Sequence, residues 1–145
     1  PRVQTCPIAC AKVSPSVEFC RGLGREVTTA PSFEGLLRAF VQTGFSVACE
    51  YPDLCRLIHL GVETIADAKA TDTGREMRAL GEGLFRQASA SGEMEPMDPV
   101  IAFELFETIM SGAMQRTFAD NDGDRADEIA KAVEDLVVRA FVKRS

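Results

Sequence analysis

The sequence predicts an all-α protein, a bundle of about five helices. Three observations support this prediction. From Ser32 to the end of the chain, apolar residues recur every three or four positions, which is the period of an amphipathic helix. Residues that start or stop helices separate these stretches, among them Pro52, Gly92 and the pair Asp98–Pro99. No stretch alternates apolar and polar residues as a strand does, and the sequence contains no internal repeat.

The composition is that of an ordinary soluble domain. The chain has 145 residues, of which 46% are hydrophobic and 26% charged. Sixteen basic residues against 22 acidic ones give a net charge of −6. This charge argues against direct binding of the chain to the phosphate backbone of a nucleic acid. No apolar run reaches membrane-spanning length and no signal peptide opens the chain. Because the sequence begins with Pro1, we expect a fragment or a processed product.

The composition and the hydrophobic pattern of the sequence change after residue 31. Residues 1–31 hold four of the seven prolines and no sustained helical period, so we predict an irregular segment with at most one short helix. Residues 32–145, called the helical unit below, carry the helical pattern. Because five cysteines are an odd number, at least one stays unpaired, which favours a reducing, cytoplasmic location. Three of the five lie in the irregular segment: Cys6, Cys10 and Cys20.

The first two predicted helices meet at a proline. Ser32 can cap the first helix, which should end near Glu50 because Pro52 disfavours helical geometry at Tyr51. Pro52 suits the first turn of a second helix, and Asp53 lies beside the positive end of its dipole. The apolar stripe of this second helix is Leu54, Leu57, Ile58, Val62 and Ile65.

The third and fourth predicted helices are also clearly bounded. The third begins at Asp72 or Thr73 and ends at Gly92. The fourth has the strongest start signal in the chain, with Asp98 at the cap position and Pro99 at the first helical position. Its apolar residues wrap most of the circumference, so other elements must cover it on several sides.

An acidic stretch, residues 120–124, separates the fourth helix from a fifth that we predict over about 124–143. The stretch resembles a calcium-binding loop, in which glycine is sixth and glutamate twelfth. With Gly123 sixth, however, Phe118 is first and Ile129 twelfth, and neither can bind calcium. We therefore interpret the stretch as a turn and helix start and predict no metal site there.

Three potential ligands recur every four residues on the second predicted helix: Cys55, His59 and Glu63. The outer two lie about 12 Å apart along the helix axis, too far for one ion. His59 therefore has three possible interpretations. It could bind a metal together with Cys55, it could be a core histidine whose polar atoms are satisfied, or it could be a polar group in a ligand cavity.

The sequence offers little support for catalysis. It has one histidine and none of the glycine motifs that mark a serine nucleophile, a phosphate loop or a dinucleotide fold. Cys49 or Cys55 could act as a nucleophile with His59, but no orienting carboxylate can be assigned. Gly81 and Gly83, in the middle of the third helix, suggest a close helix approach or a bend beside a cavity. We expect no enzyme, no catalytic residue and no cofactor.

Three places in the helical unit resemble a known family. Tyr51–Leu57 is similar to an x-P-[ED]-L-x-R-L helix junction. Ser91–Met94 followed by Asp98–Val100 is similar to a glycine hinge before a capped, nearly all-apolar helix. Ser111–Gly112 stands where a small residue is common, with serine in place of a frequent histidine. Together with a last amphipathic helix, this layout resembles the C-terminal effector-binding and dimerisation domain of the TetR/AcrR transcription regulators.

The resemblance implies the sensing half of a regulator. Members of that family begin with a three-helix unit that reads DNA, and residues 1–31 hold nothing similar. DNA would therefore be contacted only through a reading domain that is not in this chain, and no membrane partner is expected. The alternative is a stand-alone helical domain that binds a small molecule or a protein and never contacts DNA.

The resemblance also implies two sites. The first three helices would enclose a cavity for an apolar or amphipathic effector, and the last two would form a homodimer interface. The fourth helix has two apolar faces that could form this interface. One carries Phe103, Phe106 and Met110, and the other carries Ile101, Leu105 and Ile109. The predicted cavity residues are Phe40, Phe45, Cys49, His59, Met77 and Phe85. The predicted interface residues are Phe103, Phe106, Met110, Ala113, Phe118, Val133, Leu136, Val137 and Phe141.

Overall fold

The computed structural model describes residues 32–52, 72–120 and 123–145, and the fold is reported for these residues. They form four α-helices and no strand, which confirms the all-α prediction. The helices are α1 (Phe33–Glu50), α2 (Asp72–Ser91), α3 (Pro99–Met114) and α4 (Ala126–Phe141), and α3 continues as a π-helical segment, Gln115–Asp120. Residues 1–31 and the second predicted helix, with Cys55, His59 and Glu63, lie outside the described residues.

Side-chain caps fix two helix starts. The Ser32 hydroxyl accepts a hydrogen bond from the backbone N–H of Gly35 at 3.1 Å. One Asp98 carboxylate oxygen accepts from two N–H groups, at 2.9 Å from Val100 and 3.1 Å from Ile101. These bonds satisfy N–H groups that have no partner within the helix, so both predicted starts are confirmed.

Apart from the end of α3, the other boundaries fall within two residues of their predicted positions. α2 ends at Ser91, and Gly92 follows with φ +77°, a left-handed conformation that glycine adopts without strain. α4 begins at Ala126, two residues after the predicted start. Arg125 precedes it with φ 62°, which is unusual for a residue with a side chain.

The end of α3 widens into the π-helical segment, which the sequence pattern did not predict. Thr117 and Phe118 lie in this segment. Both are buried, although neighbouring residues of a helix point about 100° apart. The Thr117 hydroxyl donates to the carbonyl of Ala113, and the Thr117 carbonyl accepts from the N–H of Gly123 at 2.7 Å. The segment thereby turns Phe118 toward Phe45 of α1, with 6.0 Å between the ring centroids.

The helices pack in a definite order. α1 lies against α4, α2 lies against α3, and α3 and α4 form a hairpin. Backbone contacts between residues 93–95 and 141–143 join the chain before α3 to the chain after α4, so the two helices run antiparallel. At the same end, Glu93 accepts a hydrogen bond from the N–H of Phe33, which ties the start of α1 to this junction.

Candidate functional site

The predicted cavity residues do not form one lining among the described residues. Phe40, Phe45 and Phe85 are all buried. The Phe40 ring packs edge-on against Phe106 at 5.5 Å. Their ring neighbours are therefore core residues, and Phe85 in particular is surrounded by other rings.

Cys49 differs from these three phenylalanines because it is not part of the core. It is exposed near the end of α1. Partial burial of the thiol and the negative charge of Asp127 raise the pKa of Cys49, so the thiol stays protonated at neutral pH. A protonated thiol is a weak nucleophile. His59 and the side chain of Met77 lie outside what the structure describes.

Phe85 is the centre of an aromatic cluster. Its ring centroid lies 5.2 Å from Phe33 of α1 and 5.6 Å from Phe103 of α3. Phe106 of α3 and Phe141 of α4 each lie 5.7 Å away. The sequence assigned Phe85 to a ligand cavity and three of its neighbours to a dimer interface, but the structure brings all of them together in one core.

Most of the predicted interface residues are core residues of the single chain. α3 is apolar on nearly all sides, and its aromatic face turns toward the other helices of its own chain. Ala113 packs partly buried against the core, and Leu136 is the one large exposed side chain of the predicted set. The remaining seven are buried: Phe103, Phe106, Met110, Phe118, Val133, Val137 and Phe141.

The exposed apolar side chains of the hairpin lie on a different face. Ile101 and Leu105 of α3 are 53% and 46% exposed, and Leu136 of α4 is 52% exposed. Ile101 and Leu105 belong to the second apolar face that the sequence shows on the fourth helix. We call Ile101, Leu105 and Leu136 the hairpin face.

Two arginines show that α1 and α2 lie on the outer flanks of the hairpin. Arg78 of α2 binds Glu104 and Glu107 of α3 at 3.0 and 3.3 Å. At 100° per residue, Leu105 points 100° or more away from both glutamates, and hence away from α2.

The other flank is arranged in the same way. Arg38 of α1 contacts Glu134 and Asp135 of α4 at 3.4 and 3.6 Å. Its hydrogen bond to Glu34 raises the pKa of Arg38 further, so the charge is permanent. Leu136 points about 160° away from Glu134 and about 100° away from Asp135 around the α4 axis. The hairpin face is therefore the side of α3 and α4 that neither α1 nor α2 covers.

Neither a metal centre nor a membrane span is found in the described part of the chain. Its histidine, cysteine and acidic residues form no group of three that could hold a metal ion. None of its helices is both long and apolar enough to cross a bilayer. In comparisons with known proteins, no protein family, no curated protein and no solved structure matches this chain.

Proposed function

We propose that this chain is the sensing and dimerisation portion of a ligand-responsive regulator that resembles the TetR/AcrR family. The observation that carries the proposal is the hairpin face, three large apolar side chains exposed on the antiparallel pair α3 and α4. The proposal assigns a binding role to the chain, with no catalytic step.

The physical argument for a homodimer is the cost of leaving this face in water. Each large aliphatic side chain gains about 1.5–3 kcal/mol when it is fully buried. A two-fold axis lets one surface cover itself, because every contact then occurs twice. Two hairpins placed face to face make a four-helix bundle with a continuous apolar centre.

The acidic charge concerns which part of a regulator would contact DNA. A chain with a net charge of −6 is repelled by a phosphate backbone. Contact with DNA would therefore belong to a separate reading domain. A dimer would hold two such domains at a fixed distance, as a two-fold symmetric operator requires.

The effector part of the proposal rests on the sequence around His59. This single imidazole stands among Leu57, Ile58 and Leu60. Small-molecule pockets are usually lined by apolar side chains with a few polar groups, so we propose His59 as the polar group that orients the effector.

The dimer is tested first by light scattering. The native chain at about 50 µM should have twice the mass of the 15.7 kDa monomer. Leu105→Arg and Leu136→Arg should each give a folded monomer, because every substitution places two unpaired charges in the apolar centre. Leu80→Arg is the matched control, since Leu80 is 42% exposed on α2, outside the hairpin face. A monomeric native chain contradicts the proposal, and so does a dimer that withstands both hairpin substitutions.

The effector is tested by thermal stabilisation. An aromatic or lipid-like compound that binds the native state should raise the melting temperature, and a concentration 100-fold above Kd corresponds to about 2.7 kcal/mol. His59→Ala should reduce the affinity of that compound, while Thr64→Ala serves as the control, because position 64 lies about 140° away from position 59 around the axis of the same predicted helix. No stabilisation by several hundred such compounds, or an unchanged affinity in His59→Ala, would remove the effector site.

A further inference from the structure

We propose that the two α4 helices of the homodimer run antiparallel across the two-fold axis, with Glu128 of each copy paired with Arg139 of the other. This arrangement rests on the proposed function, because it specifies how the hairpin faces of two copies meet. It names a pair of residues that fixes the register of the interface.

The observation behind this arrangement is a stripe of exposed residues on α4. Glu128, Ala132, Leu136 and Arg139 follow one another at intervals of four, four and three residues, so they lie on one side of the helix. All four are exposed. The stripe has an acidic end, an apolar middle and a basic end.

The two charges at the ends of the stripe cannot meet within one chain. They are 11 positions apart, which is about 16 Å along a helix axis. Glu128 contacts Arg125 at 2.8 Å, but these side chains are 67% and 73% exposed. An ion pair so exposed contributes little to stability. Glu128 is therefore able to exchange this contact for one with a second copy.

Antiparallel pairing matches the stripe to itself. When Glu128 of one copy stands opposite Arg139 of the other, the same symmetry forms the reciprocal pair. In this register the small Ala132 of one copy lies within one residue, about 1.5 Å along the helix axis, of the position opposite Leu136 of the other, which leaves room for the leucine between the helices. A parallel pairing would instead put like charges together at both ends, which is unfavourable.

The facing side of α3 provides apolar surface without charge. Its exposed positions, at intervals of four, three and four residues, are Ile101, Leu105, Thr108 and Gly112. A side chain at Gly112 would meet no atom of its own chain within 4 Å. Because this stripe carries no charged group, the electrostatic selection of register falls to α4.

A charge-swap cycle tests the pairing. Glu128→Arg and Arg139→Glu should each weaken dimerisation by at least about fivefold at about 50 mM salt, because each brings like charges together twice. The double variant should return to within about twofold of the native Kd, since the pairs are restored with reversed signs. Sedimentation equilibrium measures the Kd values. If the native dimer is too tight for this, the series is made in a Leu105→Ala background.

Two controls and three outcomes decide the test. Lys131→Glu changes an exposed α4 charge outside the stripe and should leave the Kd unchanged. Arg125→Gln removes the contact of Glu128 within the chain and should not weaken the dimer. If the double variant is as weak as the two single effects combined, or if neither single variant has an effect, the pairing is wrong although the dimer stands. A monomeric native chain overturns the pairing and the proposed function together.

Discussion

Replacing Phe85 with alanine should lower the free energy of unfolding by about 3–5 kcal/mol. Phe85 of α2 is 1% exposed, and rings from the three other described helices surround it. The substitution removes the ring and leaves a cavity where the four helices meet, which the rigid neighbours can fill only in part. A single domain is stable by about 5–15 kcal/mol, so this loss is a large share of the total.

Urea unfolding followed by circular dichroism measures this effect, at one protein concentration because a dimer unfolds in a concentration-dependent manner. Phe85→Leu keeps most of the volume and should lose less than Phe85→Ala. It also gives a measurable result if the alanine variant does not fold. Two nearly native unfolding curves would mean that α2 does not pack on this cluster.

Gly81→Ala should destabilise the protein by about 1–3 kcal/mol, although alanine is the better helix former. A Cβ atom at Gly81 would overlap the ring of Phe103, which is 3% exposed and packed against Phe85. Because the ring has no free space to enter, α2 must move away from α3. The substitution therefore acts on the contact between the two helices.

Gly83→Ala is the matched control, two residues along the same helix. A Cβ atom there would have no neighbour within 4 Å. Gly83→Ala should therefore change stability only through the higher helix propensity of alanine, which raises the free energy of unfolding by about 0.5–1 kcal/mol. The two variants should thus shift the urea midpoint in opposite directions. A stabilising Gly81→Ala would show that α2 and α3 are not in close contact at this point.

The boundaries of the described helices could be predicted from the sequence because they depend on local chemistry. Ser32 and Asp98 start helices because their own side-chain oxygens reach N–H groups two or three residues away. Gly92 ends α2 because glycine enters the left-handed region without a steric penalty. The π-helical segment escaped prediction because it depends on the tertiary burial of Thr117 and Phe118.

The roles of the two central glycines depended on tertiary contacts. From the sequence alone, Gly81 and Gly83 have the same two interpretations, a close helix approach or a bend beside a cavity. The structure assigns a close approach to Gly81 alone, because the ring of Phe103 lies over it while Gly83 faces open space. Two glycines in one helix cannot be distinguished until the neighbouring helix is placed.

By itself, the sequence determined the helical class, the boundaries of the described helices other than the end of α3, and the presence of two apolar faces on α3. Only the tertiary structure decided which of these faces is buried within the chain. The face with Phe103 and Phe106 turns inward because Phe85, Phe40 and Phe141 supply rings on three other helices that pack against it. The face with Ile101 and Leu105 has no comparable partner in the described helices and remains exposed. Hydrophobic periodicity shows that a face is apolar, but the choice between two such faces depends on shape complementarity with residues far away in the sequence.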